Sequence, residues 1–83
     1  MERFYFDFYD DEVEVGHDTE GTELPDAPAA LKEARMSLAE LTKDVLSSSG
    51  PKRILQIKVR DGDGEPVLMC SVVFEAHSIR PAP

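Results

Sequence analysis

RFYFDFY, residues 3–9, sets the architecture of the chain, because its side chains alternate between two faces. The three phenylalanines fall on one face, and the polar and tyrosine side chains fall on the other. Aromatic residues at a period of two are typical of a half-buried strand. A second alternating run at residues 12–15 follows the acidic stretch Asp10–Glu12, which we expect to form a turn. The start of the chain therefore predicts a β-hairpin.

A second hairpin is predicted near the end of the chain. Residues 53–60 alternate in the same way, and residues 67–76 form an apolar run long enough for another strand. Between them, Asp61-Gly62-Asp63-Gly64 is a strong turn signal. The motif also resembles the start of a calcium loop, but Pro66 and Val72 occupy the positions where such a loop needs glycine and glutamate. We therefore interpret it as a hairpin turn.

One amphipathic helix is predicted between the two hairpins. Asp26 is the expected N-cap, and Pro28 suits the first turn because that position needs no N–H donor. Seven apolar residues follow on one stripe at helical spacing, namely Ala27, Ala30, Leu31, Ala34, Leu38, Leu41 and Val45. The serine, glycine and proline of Ser47–Pro51 stop the helix.

These elements predict an α+β fold. Residues 1–76 are expected to form a single domain with the order β-β-α-β-β, in which one helix packs on one face of a four-stranded sheet. Residues 77–83 contain two prolines and are expected to be a flexible C-terminal tail. Eighty-three residues leave no room for a second core.

The composition indicates a soluble, cytoplasmic protein. The N-terminus is acidic and aromatic, unlike a secretory signal, and no apolar run approaches the ~20 residues needed to cross a bilayer. The single cysteine, Cys70, excludes an internal disulfide and fits a reducing compartment. Residues 1–26 carry a net charge of −9, whereas residues 27–83 carry +1. A pI near 4.5 is opposite to that of a typical nucleic-acid binder, so we expect neither nucleic acid nor a membrane as a partner.

No group of residues in the sequence predicts catalysis. His17 beside Asp18 is a candidate general base, but such a base needs an activated nucleophile held against it. Cys70 alternates with apolar residues of the last strand and is expected to face the core. Two histidines and one cysteine give too few ligands for a structural zinc site. We therefore expect no enzymatic activity, no metal and no cofactor. A small hydrolase or transferase is the least favoured alternative, and it requires His17 or His77 to meet a carboxylate in a pocket.

The sheet face opposite the helix is the first candidate for an interaction surface. The last strand keeps apolar residues on that face, where an uncovered antiparallel sheet is normally polar. Neighbouring exposed apolar side chains mark interfaces, and small domains gain stability by self-association. The candidate interface residues are Tyr5, Tyr9, Ile54, Val67, Met69 and Val73. We expect a homodimer that forms through this face.

Two alternatives use other residues. The acidic first hairpin is a candidate contact for a basic protein surface, as in a decoy or antitoxin-like inhibitor of a nucleic-acid-binding partner. Its residues are Asp10, Asp11, Glu12 and Glu14. Solubility and protection of an edge strand explain the same acids and are the favoured interpretation, because runs of charge are usually just solvated. The second alternative is a platform for single-stranded RNA formed by Tyr5, Tyr9, Lys58 and Arg60, although the neighbouring acids repel phosphate.

Several segments taken together resemble a known family. They are Phe4-Tyr5-Phe6-Asp7-Phe8, the stretch Asp18–Asp26, the alanine-rich start of the helix, and the hairpin Val59–Leu68. This combination resembles a family of small, uncharacterised proteobacterial proteins from rhizobia-like lineages, a domain of unknown function. The resemblance implies the same order of elements and a bacterial cytosolic setting. It implies no activity and no catalytic residue, so the sequence predicts a small non-enzymatic interaction or regulatory protein.

Overall fold

The computed structural model describes residues 1–48 and 50–80. This part of the chain forms one helix and five strands, which confirms the α+β class. The elements are β1 (Glu2–Asp10), β2 (Val13–Gly16), β3 (Thr22–Leu24), α1 (Ala27–Leu46), β4 (Lys52–Arg60) and β5 (Pro66–Glu75). The strands pair antiparallel in the order β2–β1–β4–β5, and β3 pairs with the first residues of β1. Among the described residues, no helix combines the length and apolar character needed to cross a membrane.

The core lies between one face of the sheet and α1. The predicted alternation is confirmed in β1 and β4, whose inward apolar side chains pack against the helix. The buried apolar residues are Phe4, Phe6, Ala30, Ala34, Leu38, Leu55, Ile57 and Val59. Cys70 packs against this core from β5 and is half-buried, so the thiol lies where the sequence predicts it.

The helix begins as predicted. The Asp26 Oδ1 accepts a hydrogen bond from the Ala29 N–H at 3.0 Å, and Pro28 lies in the first turn. The last helical residue is Leu46, at the start of the predicted stop signal. Ser49 of that signal lies outside the described residues.

The helix does not cover the whole sheet. It packs mainly over β4 and β5, so the far side of the sheet at β2 is open. Val13 and Val15 of β2 are therefore 64% and 63% exposed.

The sheet has five strands rather than the predicted four. Residues 22–24 are assigned to a loop by the sequence pattern, but they form β3 and pair with Glu2–Phe4. Three residues are too few to show an alternating pattern, so only their pairing with β1 identifies them as a strand. Gly21, directly before β3, has a φ of +73°, a backbone conformation that glycine adopts without strain.

Both predicted hairpins are present. In the β4–β5 turn, the Asp61 Oδ1 accepts the Asp63 and Glu65 N–H groups at 2.9 and 3.0 Å. The carboxylate that resembles a calcium ligand is thus occupied by backbone donors of its own turn. After Glu75, residues 76–80 form neither helix nor strand, and residues 81–83 of the predicted tail lie outside the described part of the chain.

Candidate functional site

The sheet face opposite α1, which we call the open face, has two halves of different chemistry. The polar half lies on β1 and β4 and consists of Tyr5, Asp7, Tyr9, Lys58 and Arg60. The apolar stripe lies on β5 and the start of β4 and consists of Ile54, Val67, Met69 and Val73. All six predicted interface residues therefore lie on the open face, but Tyr5 and Tyr9 belong to its polar half.

In the polar half, both cations lie over aromatic rings. The Lys58 Nζ is 4.2 Å from the centroid of the Tyr9 ring, and the Arg60 guanidinium carbon is 5.0 Å from that of Tyr5. These are cation–π distances, so each cation is attracted to the electron-rich face of its ring. The structure brings together the four residues predicted as an RNA platform. However, the cations lie on ring faces that a stacked base would need.

The apolar stripe carries no charge. Val67, Met69 and Val73 are 44%, 54% and 58% exposed, while Ile54, which pairs with Val73, is half-buried. The Ser71 Oγ lies in the middle of the β5 row and accepts a hydrogen bond from the Gln56 side chain at 3.3 Å. The stripe is therefore an exposed apolar row with a small polar centre.

Asp7 is the buried charged residue of the polar half, with only 4% of its surface exposed. Arg60 holds it with two hydrogen bonds, from Nε to Oδ2 at 2.7 Å and from Nη2 to Oδ1 at 3.1 Å. The hydrogen bond from Arg60 holds the pKa of Asp7 below its ordinary value, even though burial opposes that shift. The Asp18 N–H also donates to Asp7 at 3.0 Å, and Arg60 donates to the Asp18 carbonyl at 2.9 Å. The ion pair therefore anchors the loop between β2 and β3.

The Asp18 side chain closes the gap that this loop leaves at the edge of β1. Its Oδ2 accepts the Phe6 N–H at 3.1 Å, and its Oδ1 accepts the Glu20 and Gly21 N–H groups at 3.1 and 2.9 Å. Burial acts to raise the pKa of Asp18, but the hydrogen bonds from Gly21, Phe6 and Glu20 together outweigh it, so the pKa is lowered. A carboxylate thus takes the place of a neighbouring strand between β2 and β3.

His17 lies next to this network. Its Nδ1 is 2.7 Å from the Glu14 Oε1 and 3.4 Å from the Asp7 Oδ1, and its side chain is 57% exposed. It lines two shallow clefts of about 360 and 450 Å³, one on the helix side of the sheet and one on the open face. A carboxylate that orients Nδ1 leaves Nε2 available for proton transfer.

The requirement for catalysis is therefore met only in part. His17 meets carboxylates beside a cleft, as a general base would. Within residues 1–48 and 50–80, however, no serine, threonine or cysteine hydrogen-bonds to His17. His77 contacts Glu75 at 3.3 Å near the exposed end of the chain.

Asp7, Glu14 and His17 each place one potential ligand atom within 4.8 Å of the others. Imidazole and carboxylate ligands are typical of transition-metal sites. Arg60 argues against that role, because its guanidinium group already occupies both oxygens of Asp7 and repels a cation. We therefore describe the three residues as part of the ion-pair network.

Two of the predicted acidic contact residues are committed to the fold. Asp10 forms a two-bond ion pair with Arg53, whose Nε donates at 2.7 Å, and this hydrogen bond lowers the pKa of Asp10. The Asp11 Oδ1 accepts the Ile54 N–H at 2.9 Å. These carboxylates join the first hairpin to β4 and are not free for a basic partner.

The other two predicted contact residues differ from each other. Glu14 is engaged by His17, as described above. Glu12, at the tip of the turn, has no side-chain hydrogen bond or ion pair within the described part of the chain. The acidic contact stays a prediction, and Glu12 is the one of its four residues without a side-chain partner in the described part of the chain.

The Asp7–Arg60 pair and the role of the Asp18 carboxylate are not predicted by the sequence pattern. One signal was available for Asp7, because it is the single acid within the alternating segment RFYFDFY, residues 3–9. A charge on such a strand needs a buried partner. Asp18 gives no comparable signal, since acids are common in turns.

Residues 3–73 match the family described as a domain of unknown function, DUF6894. The chain belongs to this family. The matched range contains both hairpins, the helix, the ion-pair network and the whole apolar stripe. The predicted resemblance to a family without a known activity is confirmed, while its bacterial origin stays a prediction. No curated protein and no solved structure matches the chain.

Proposed function

We propose that this chain is a non-enzymatic interaction protein that self-associates through the apolar stripe. The observation that carries the proposal is the exposure of Val67, Met69 and Val73, at 44%, 54% and 58%, on one strand with only Ser71 between Met69 and Val73 in the row. Antiparallel sheets with one solvated face normally place polar residues at such positions. Three large apolar side chains in one row favour a surface that contacts a partner.

The size of the core supports self-association. Eight apolar residues make up the buried core in the described part of this 83-residue chain. Domains of this size bury a smaller fraction of their surface than larger ones and often gain stability by oligomerisation. A second copy is also the simplest partner, because a two-fold interface matches each stripe with an identical one.

A catalytic role is less well supported than an interaction role. His17 has oriented carboxylates but no bonded hydroxyl or thiol among the described residues, and nucleophilic catalysis needs that contact. Proton transfer by the His17 Nε2 alone needs a substrate in a cleft that is shallow and half open. We therefore propose that His17 stabilises the loop between β2 and β3.

The proposal includes a cellular setting. The free thiol of Cys70 and the absence of any other cysteine favour a reducing compartment, so we propose the bacterial cytoplasm. Regulation of a partner by the exposed stripe fits such a setting.

Sedimentation of the wild-type chain and of Val73→Asp tests the proposal. We expect wild type to dimerise at micromolar concentration and to stay dimeric in 1 M salt, because apolar contacts are not screened. A charge in the stripe should make the chain monomeric while leaving its circular dichroism unchanged. Val15→Asp is the matched control, because Val15 is 63% exposed on β2, away from the stripe, and should stay dimeric. A monomeric wild type, or equal behaviour of the two variants, would contradict the proposal.

A further inference from the structure

Strand β5 is an edge of the sheet along its whole length of ten residues. It pairs with β4 on one side, and its other side has no neighbour among the described strands. A long edge strand offers a row of free backbone donors and acceptors, which proteins normally block with charges, prolines or bulges. Between Pro66 and Glu75, β5 carries no charged residue and no second proline, and its register shift relative to β4 lies at its first residues, opposite Val59 and Arg60.

Backbone hydrogen bonds identify which residues of β5 offer those free groups. The Ile54 N–H and carbonyl both bond to Asp11, so Ile54 directs its backbone toward β1. Because backbone direction alternates along a strand, Leu55 directs its backbone toward β5. Leu55 pairs with Val72, which must direct its backbone toward β4. Ala76, four residues after Val72, shows the same direction, since its N–H donates to the Pro51 carbonyl at 2.7 Å.

The same alternation directs the backbone of the odd-numbered residues away from the sheet. These residues are Met69, Ser71 and Val73, which lie in the regular part of the register between Leu68 and Glu75. Their side chains also lie on the open face. Met69 and Val73 of the apolar stripe therefore also offer free backbone groups at this edge, with Ser71 between them.

We propose that two copies of the chain pair through β5, antiparallel and about a two-fold axis near Ser71, to form one continuous sheet. This inference rests on the proposed function, since it specifies how the chain self-associates. In this register the backbone of Ser71 pairs with that of Ser71 in the other copy. Met69 of one copy lies opposite Val73 of the other, so the two apolar stripes join into one.

The distribution of charge selects a second copy at this edge. Residues 1–26, with a net charge of −9, form β1, β2 and β3 on the opposite side of the sheet. Pairing through β5 places the acidic regions at the two outer ends of the joint sheet, where their repulsion is weakest. Pairing through the β1 edge would bring the acids together.

The position of the helix is compatible with the joint sheet. α1 lies over β4 and β5, and a two-fold axis perpendicular to the sheet keeps both helices on the same side. With strands about 4.8 Å apart, the two helix axes would lie about 10 Å from each other, close to the normal packing distance of helices. The helices therefore make contact without displacing the strands.

Ser71→Pro tests the edge directly. Proline removes the outward N–H of Ser71 without touching the hydrogen bonds to β4, and edge strands tolerate proline at such positions. Ser71→Ala is the matched control, because it loses the same side chain but keeps the N–H. We expect Ser71→Ala to dimerise like wild type and Ser71→Pro to be monomeric at a concentration at least tenfold above the wild-type dissociation constant.

Amide hydrogen exchange on the wild-type chain decides the matter even if the proline variant fails to fold. The Met69, Ser71 and Val73 amides should be protected in concentrated samples and exchange freely on dilution below the dissociation constant. The Leu68, Cys70 and Val72 amides, which face β4, should be protected at both concentrations.

The possible outcomes separate the two proposals. A wild-type chain that is monomeric throughout would overturn both self-association and edge pairing. A dimer that loses stability in Val73→Asp, but keeps free Met69, Ser71 and Val73 amides, would overturn edge pairing alone. Such a dimer would instead pack the open faces against each other.

Discussion

At the β1 edge of the sheet, the Phe6 N–H is bonded by the carboxylate of Asp18 at 3.1 Å, in the gap between two short strands. At the β5 edge, the register with β4 is regular from Leu68 to Glu75, and the outward backbone groups of this part have no neighbouring strand in the described structure. The first edge is acidic and closed by side chains. The second is apolar and open.

The contrast shows which edge of the sheet is protected against pairing with another strand. Natural proteins block an edge by shortening its strands, by adding charge or by covering it. The β1 edge uses two of these means, since β2 and β3 have four and three residues and the surrounding segment is acidic. The β5 edge uses neither between its end residues. Because the chain protects its β1 edge and not its β5 edge, we infer that the β5 edge pairs with another strand.

Asp7→Ala is the strongest way to disturb the closed edge. It removes the buried partner of Arg60 and the acceptor of the Asp18 N–H, so an uncompensated charge remains. Breaking a buried ion pair from one side typically costs about 3 kcal/mol or more. We expect the free energy of unfolding, measured in urea, to fall by about 3 kcal/mol.

Asp10→Ala is the control for that measurement. Asp10 also forms a two-bond pair with an arginine, but both side chains are 24% exposed, against 5% for Asp7. Because solvent screens the more exposed pair, we expect a loss of only about 1 kcal/mol. Equal losses in the two variants would show that Asp7 is not the special anchor of the closed edge.

The fold could be predicted from the sequence because its signals are local. Alternation in β1 and β4, the Asp26 cap and the Asp61–Gly64 turn each depend on residues close together in the chain, and each is confirmed. β3 could not be predicted in this way. Its three residues become a strand only by pairing with β1, some twenty residues away.

The site was predictable only where it depends on alternation. The apolar stripe follows from the period of β5, so Val67, Met69 and Val73 are exposed as expected. The Asp7–Arg60 pair joins residues 53 positions apart, and no local pattern encodes that contact. The net charge of residues 1–26 has the same limit. It does not show which of the acids are already paired within the fold.

Low pH should destabilise the acidic β1 edge of the sheet more than the apolar β5 edge. The pKa values of Asp7, Asp10 and Asp18 are lowered in the folded chain, so their contribution to stability is present above the unfolded pKa of about 3.9. It is lost as the pH falls through the folded values. We expect the free energy of unfolding to drop below about pH 4, by less than in Asp7→Ala because a protonated carboxyl group still fills its site.

Asp18→Asn shows how much of that acid sensitivity belongs to the edge. Asparagine cannot titrate, so the variant should be less stable than wild type at pH 6 but should lose less on going to pH 3. The measurement is urea unfolding at each pH. If wild type and Asp18→Asn lose the same amount, the Asp18 carboxylate does not contribute to the pH dependence of the closed edge.

Glu12→Gly gives the smallest expected effect and acts on the turn that begins the closed edge. Asp11 and Glu12 have φ angles of +49° and +69°, a region in which residues with a side chain are strained. Glu12 has no side-chain partner among the described residues, so glycine should relieve strain at no loss and stabilise the chain by about 1 kcal/mol. Asp11→Gly relieves similar strain but removes the acceptor of the Ile54 N–H, so we expect no gain from it. If both variants gain equally in urea unfolding, the Asp11 carboxylate does not help to hold the first hairpin against β4, and the closure of this edge depends on Asp18 and Asp7 alone.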